Sequence, residues 1–383
     1  MKFPIYFDYN STTPIDKRVL DVMLPYLSDK FGNASSNSHS FGREASAAVE
    51  FARKQIADLI NAKSDEIIFT SSTTESCNLA IKGIVESSSN KKIRIISSPI
   101  EHKSVLNVLT YLKKFGVEIY FLKTDEYGFV SPGEVKEAID DNTVLVSVMT
   151  ANNEIGTIQP IGEIGMICNE FNVPFFSDAA QAIGKIPMDM NTIPVDLMAF
   201  GAHKIYGPKG AGALYIRKGS KKIKLTGQIH GGMQEGGLRS GTLDVPAIAG
   251  FGKAAQICNE NPAEEFSAQT LLRDRIINNL LRNCEDTGIN GHPVKRLPNN
   301  INIYFKGIPS QMLINKFPEF AISSGSACSS ETLEPSFVLR NIGRDLETIN
   351  SSIRISIGRF TTEDEVSFLI KRLIEGIKEL KNF

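Results

Sequence analysis

The sequence predicts an α/β fold, with a mostly parallel sheet wrapped by helices on both faces and a smaller α+β unit after it. Three observations carry this. Short β-rich runs alternate with helical patterns from about residue 50 to 220, as consecutive βα units do. The 383 residues are enough for two domains. Past a Gly-rich stretch and a long helical pattern over 244–260, two further strand patterns stand among helices.

Taken in order, residues 51–62 place apolar side chains at helical spacing. Residues 66–70 (Glu-Ile-Ile-Phe-Thr) form a short strand pattern, and a helix opens at Thr73. The strand 92–96 leads to a helix over 105–115 and a strand over 117–122. A helix over 131–139 precedes the strand 143–149, and a helix over 164–171 precedes the strand 173–177. Two more strands read over 197–201 and 212–216. In the second unit a helix is expected near 267–283, strands over 300–305 and 352–356, and a final helix from Thr362. The run 86–91, rich in serine, reads as a surface loop.

Lys plus Arg total 42 against 43 Asp plus Glu. That balance argues against a strongly cationic nucleic-acid surface, so direct nucleic-acid binding is not expected. Hydrophobic residues at 42% with charged residues at 22% describe an ordinary globular chain. No apolar run approaches the ~18 residues of a membrane span, and Asp8 interrupts the N-terminus too early for a signal-peptide core. A cytoplasmic protein is expected, with no membrane partner. The five cysteines form no C-x-x-C pair, which argues against a zinc or redox motif. Cys77, Cys168 and Cys258 fall in helical patterns and read as buried filler. Cys284 has no distinguishing context, and Cys328 is set apart below.

In open α/β sheets ligands sit beyond the carboxyl ends of the strands. After Phe69 comes Thr70-Ser71-Ser72-Thr73-Thr74-Glu75. Ser72 and Glu75 have capping-box spacing, and such a helix start, with the hydroxyls of Thr73 and Thr74, offers a phosphate cradle. An ordinary capped helix would look the same. The later strands are followed by Glu101-His102, by Asn152-Asn153-Glu154, by Asp178-Ala179-Ala180-Gln181 and by Gly201-Ala202-His203-Lys204. Each is commonplace alone. Together they suit pyridoxal 5′-phosphate: a lysine amine for its aldehyde, a carboxylate for its ring nitrogen, a helix N-terminus for its phosphate and an imidazole to stack on the ring. Gly207 and Pro208 bend the chain just past Lys204, which suits a lysine held at a tight turn.

With these residues in view, the sequence resembles a cysteine desulfurase of the NifS/IscS type, within the class-V aminotransferase-like, fold-type I pyridoxal phosphate enzymes. The likeness runs from Phe7-Asp8-Tyr9-Asn10-Ser11-Thr12-Thr13-Pro14 to Ser351-Ser352-Ile353-Arg354-Ile355-Ser356-Ile357-Gly358-Arg359. Its most specific pieces are Asn152-Asn153-Glu154-Ile155-Gly156, His203-Lys204, Arg239-Ser240-Gly241-Thr242 and Ser323-Ser324-Gly325-Ser326-Ala327-Cys328. The resemblance implies a large cofactor-binding domain over 15–255 with a seven-stranded sheet. It also implies a small domain from 1–14 and 256–383 carrying a mobile Cys328 loop.

By position, the resemblance makes Lys204 the Schiff-base lysine, Asp178 the partner of the ring nitrogen and Gln181 the amide near the phenolic oxygen. His102 matches the stacked imidazole and a proton-transfer group. Thr73, Thr74 and His203 match phosphate contacts, and Thr242 one donated by a neighbouring subunit, which implies a homodimer with shared active sites. Asn153 and Arg354 match the grip on the substrate carboxylate, where a guanidinium fork binds in a bidentate way. Cys328 matches the nucleophile. Its small, polar surroundings predict a loop that packs little, and its thiol needs deprotonation to react, with His102 a candidate base.

The implied reaction takes sulfur from L-cysteine, leaving L-alanine and a Cys328 persulfide for a protein acceptor. The acceptor stays open among iron–sulfur scaffolds, tRNA thiolation enzymes, cofactor-synthesis proteins and DNA sulfur-modification proteins. Selenocysteine lyase, another C–S lyase, an aminotransferase and a non-catalytic subunit are the rivals. Three departures from the family pattern stand out. Gly201 replaces a common phosphate-binding serine, which predicts looser cofactor retention. Ser72 replaces a common glycine, narrowing backbone freedom there. The chain ends at Phe383 without the longer tail by which housekeeping members dock a scaffold, which puts that partnership in doubt.

Overall fold

The computed structural model describes residues 3–219, 223–324 and 335–381. The strands are β1 (Ile5–Tyr6), β2 (Ile67–Thr70), β3 (Arg94–Ser97), β4 (Glu118–Phe121), β5 (Thr143–Ser147), β6 (Phe175–Asp178), β7 (Leu197–Gly201), β8 (Gly212–Ile216), β9 (Thr287–Ile289), β10 (Asn300–Phe305), β11 (Phe320–Ala321) and β12 (Ser352–Ser356). Interleaved with them are α1 (Lys17–Ser28), α2 (Ser40–Leu59), α3 (Thr73–Ser87), α4 (Lys103–Lys113), α5 (Pro132–Ala138) and α6 (Ile161–Glu170). There follow α7 (Val245–Glu260), α8 (Pro262–Asn283), α9 (Ser310–Lys316), α10 (Phe337–Asn341), α11 (Leu346–Asn350) and α12 (Glu363–Lys381).

The principal sheet has seven strands in the order β2-β8-β7-β6-β5-β3-β4. Neighbours from β7 across to β4 run parallel, and β8 alone is antiparallel to both strands beside it. The expected mostly parallel sheet is therefore present. Each strand sends alternate side chains to opposite faces, and both faces of the central strands are buried. Ile96, Val146, Phe175, Met198 and Tyr215 join one apolar cluster with helix residues such as Ile56 and Phe251. Their neighbours Ile95, Leu145, Phe176, Leu197 and Leu214 join another with Leu79, Leu109 and Leu112.

The second unit is an antiparallel sheet, β12-β10-β9, beside a short parallel pair, β1-β11. Leu369, Leu373 and Ile377 recur on one face of α12 and pack with Ile276, Ile303, Ile355 and the N-terminal Phe7, an amphipathic stripe on its core. The N-terminal segment then crosses to the large sheet. Tyr9 N–H reaches the carbonyl of Ser356 at 3.4 Å, and Thr13 N–H that of His203 at 3.0 Å. Residues 8–13 thus run between β12 and the end of β7, which brings chemistry from both units to one place. Among the described residues no helix is long and apolar enough to cross a membrane.

Candidate active site

The parallel strands end together, so the residues after β3, β5, β6 and β7 share one edge. α3 starts beside it. Ser72 caps that helix by accepting from Glu75 N–H at 3.2 Å. The carboxylate of Glu75 departs from the expected capping box. It accepts from the backbone N–H of Ser71 at 2.8 Å and from Arg239 Nε at 3.0 Å, instead of returning to Ser72. Ser72 itself is extended, with φ −173°, so a serine fits there without strain. Thr73 Oγ1 is buried with no hydrogen-bond partner among the described residues. A Cβ on Gly201 would come within 2.8 Å of that oxygen. Together they leave a polar recess at the helix start. Thr74 is exposed one residue on.

His203 and Lys204 close a 3₁₀ turn directly after β7. Lys204 Nζ donates to the carbonyls of Asn10 and Ser11, each at 2.7 Å. The Asn10 carbonyl also accepts from Gln181 Nε2 at 2.8 Å. Gln181 Oε1 in turn accepts from Lys185 Nζ at 3.0 Å. An ammonium only donates and a carbonyl only accepts, so these partners fix which way the Gln181 amide faces. Burial, with the charge of Lys204, pushes the Lys185 amine down to about 7. His203 Nδ1 lies 3.1 Å from Thr12 Oγ1. Burial and the nearby Lys204 and Lys209 lower its pKa to about 4, so its ring is neutral at pH 7.

Asp178 is the last residue of β6 and is 3% exposed. Its Oδ1 accepts from Ala180 N–H at 2.9 Å, and Cys77 Sγ approaches Oδ2 at 3.9 Å. Burial raises its pKa, and the charges of His102 and Lys204 oppose that rise. His102 caps α4: its Nδ1 accepts from the backbone N–H of Ser104 at 3.1 Å, with Ser104 Oγ at 2.8 Å. A backbone N–H can only donate, so in the neutral ring the proton sits on Nε2. The preceding Glu101 is fully buried, and burial lifts its carboxyl to about 8.

Arg354, in β12, has a side chain only 2% exposed. Its Nη2 donates to Asp8 Oδ1 at 2.7 Å and to Ser11 Oγ at 3.0 Å, and its Nη1 to the Asn153 carbonyl at 3.0 Å. Asn10 Nδ2 reaches the same carbonyl at 3.2 Å. The segment 8–13 therefore joins Arg354 and Asn153 to Lys204. Of the residues expected from sequence, Thr73, His102, Asn153, Asp178, Gln181, His203, Lys204 and Arg354 gather here. Thr242 lies exposed, and among the described residues nothing hydrogen-bonds to its hydroxyl. Cys328 lies outside the described residues. Sequence reading gave no role to Asp8, Asn10, Ser11, Glu101 or Lys185. The run Asp8–Pro14 had marked the first group as a motif, whereas Glu101 and Lys185 carried no signal beyond standing near site residues.

Residues 5–369 match the Aminotransferase class-V family. The chain is 49% identical over 381 residues to the cysteine desulfurase IscS of Rickettsia typhi, covering 100% of this chain and 93% of that protein. Among solved structures it superposes on a NifS-like protein with a TM-score of 0.91 at 36% identity, covering 98% of this chain and 99% of the other. It also superposes on SspA in complex with cysteine, with a TM-score of 0.83 at 37% identity, covering 93% and 99%.

Proposed function

The chain belongs to the NifS/IscS-type cysteine desulfurases of the class-V aminotransferase family, and from that premise we propose that it takes sulfur from L-cysteine through Cys328 with pyridoxal 5′-phosphate as cofactor. The observation that carries the reading is the Lys204 ammonium, held by the Asn10 and Ser11 carbonyls on the same strand-end edge as buried Asp178. The residues fit the cofactor. The partnerless hydroxyl of Thr73, with Gly201 beside it, suits a phosphate oxygen at a helix start. His203 would add a donor there. When bound, pyridoxal phosphate supplies an electron sink that acidifies the substrate Cα–H and weakens the Cβ–S bond.

The protein's own residues do the rest. Lys204 would provide the amine for the cofactor's aldehyde and, as a neutral amine, would be the base for the Cα proton. Asp178 would hold a proton on the cofactor's ring nitrogen. Gln181, with its amide oriented by Lys185, would offer N–H to the phenolic oxygen. His102 would offer Nε2–H to the ring. Arg354 and Asn153 bind the substrate carboxylate, which sets the direction in which its thiol points. The Cys328 thiolate then forms an S–S bond to the substrate sulfur as the Cβ–S bond breaks, its electron pair staying with the substrate. L-alanine leaves, and the persulfide passes to an acceptor protein.

A homodimer fits two features. Thr242 stands exposed, as a residue serving a neighbour's phosphate site would. Leu20, Leu24 and Leu27 form an exposed apolar stripe on α1, near further exposed apolar side chains at Phe31 and Phe41, and such surface calls for a cover. The buried free thiols Cys77, Cys168, Cys258 and Cys284 suit a reducing compartment such as the cytosol.

The test is to incubate the holoprotein with L-cysteine and a reductant and to quantify alanine and sulfide, with selenocysteine and cystine run alongside. Equal alanine and sulfide from cysteine, lost in Cys328→Ala, is expected. Full turnover by Cys328→Ala, or turnover of selenocysteine alone, would overturn the reading.

A further inference from the structure

The outer edge of the principal sheet carries a buried ion pair that the reaction above does not use. β2 is the end strand, beside β8, and an end strand leaves backbone groups unpaired on its outer side. Side chains take two of them. Arg53, on α2, donates from Nη1 to the Ile67 carbonyl at 2.8 Å, and Glu235 Oε2 accepts from Phe69 N–H at 2.7 Å. The two side chains also hold each other. Arg53 Nη1 meets Glu235 Oε2 and Nη2 meets Oε1, each at 2.8 Å, a bidentate fork. The guanidinium lies 4.6 Å from the centre of the Phe69 ring, and the Glu235 side chain is 2% exposed.

Covering a strand edge does not by itself require a charged pair or a strained turn, and here there are both. Met233 and Glu235 have left-handed φ of 63° and 50°, and Gly236 and Gly237 follow at 64° and 82°. That conformation is strained for a residue with a side chain and persists where the surroundings hold it. The fork on Arg53 supplies the hold. The residues beyond the turn are then tied down one by one. Arg239 Nε donates to Glu75 Oε1, in the first turn of α3, at 3.0 Å. Ser240 N–H donates to the Ile229 carbonyl at 3.1 Å, and Gly241 N–H to Gln234 Oε1 at 2.9 Å. The next residue is the exposed Thr242.

We propose that Glu235, clamped by Arg53, is a positioning residue that holds residues 239–242 against the start of α3 and so presents Thr242 to the cofactor phosphate of a neighbouring subunit. The inference rests on the homodimer and the Thr242 contact proposed above, and adds which residues set the reach of that hydroxyl. A hydroxyl on a loose loop gives up much of its binding energy to ordering the loop, whereas one held in place beforehand does not. Glu235 of one subunit therefore governs cofactor retention in the other.

The experiment uses the full-length holoprotein and the variants Glu235→Gln, Gln234→Ala and Thr242→Ala. Thermal melting of the cofactor-free proteins and sedimentation identify folded dimers, and equilibrium dialysis gives the affinity for pyridoxal phosphate. Thr242→Ala and Glu235→Gln are each expected to hold the cofactor about tenfold more loosely, the scale of one hydrogen bond to a charged group. Gln234→Ala, at a half-buried position outside the ion pair, should loosen it severalfold. Glu235→Gln combined with Thr242→Ala should be no looser than Thr242→Ala alone. Mixed dimers, isolated by two tags, then assign the effect to a subunit. Lys204→Ala in one subunit leaves a single Lys204, and borohydride after dialysis reports the cofactor retained on it. Loss is expected when Glu235→Gln lies in the subunit opposite that Lys204, and parental retention when it lies in the same subunit. Loss confined to the same subunit, equal loss in both arrangements, or parental affinity in Glu235→Gln and Gln234→Ala would overturn the proposal. A monomeric parent, or parental affinity in Thr242→Ala, would instead overturn the shared-site reading on which it rests.

Discussion

Glu101 shows how much of the site's behaviour is decided by single side chains. One of its oxygens accepts from Ser98 Oγ and from Met149 N–H, each at 2.7 Å, while the other is buried with no partner among the described residues. Burial lifts its pKa from 4.5 to about 8. A carboxyl raised in the folded state supports stability fully below its unfolded pKa, and that support is lost as pH rises through the folded value. The window here is therefore pH 4.5 to 8, and the loss across it is roughly 3–5 kcal/mol at ~1.4 kcal/mol per pKa unit. Glu101→Gln keeps an acceptor for Ser98 and Met149 and removes the titration. Melting curves at pH 5 and pH 8 should then show the variant gaining on the parent as pH rises. A parallel pH dependence in the two proteins would contradict this assignment.

At the scale of elements, the decisive meeting is between the end of β7 and the start of α3. Gly201 leaves Thr73 Oγ1 without a partner, and a Cβ there meets the end of a side chain that can rotate. Gly201→Ser should therefore add a hydroxyl donor beside Thr73. Equilibrium dialysis is expected to show pyridoxal phosphate held about tenfold tighter, the scale of one hydrogen bond to a charged group. Looser retention would mean that the Thr73 hydroxyl cannot make way. β7 and β8 were legible in sequence to the residue, because strands buried on both faces are continuous apolar runs. β1, β9 and β11 were not: they are two or three residues long and exist through pairings such as Ile5 with Phe320, which no local pattern announces. α1 was missed because Pro25 lies inside it and its leucines face outward. The strand-end residues were legible because the topology rule names where to look. The ties through Asp8, Asn10 and Ser11 were not, since they join residues more than 140 positions apart.

At the scale of the molecule, an N-terminal segment anchored on β12 reaches the end of β7 and assembles one site from two sheets. Lys204 is the residue proposed to carry the cofactor. The direct measurement is borohydride reduction of the freshly purified protein, followed by peptide mass spectrometry. A single reduced pyridoxyl phosphate adduct is expected, on the peptide containing Lys204, with loss of the visible band and of alanine formation. An adduct on Lys185, Lys209 or another lysine, or none in protein supplied with the cofactor, would contradict it.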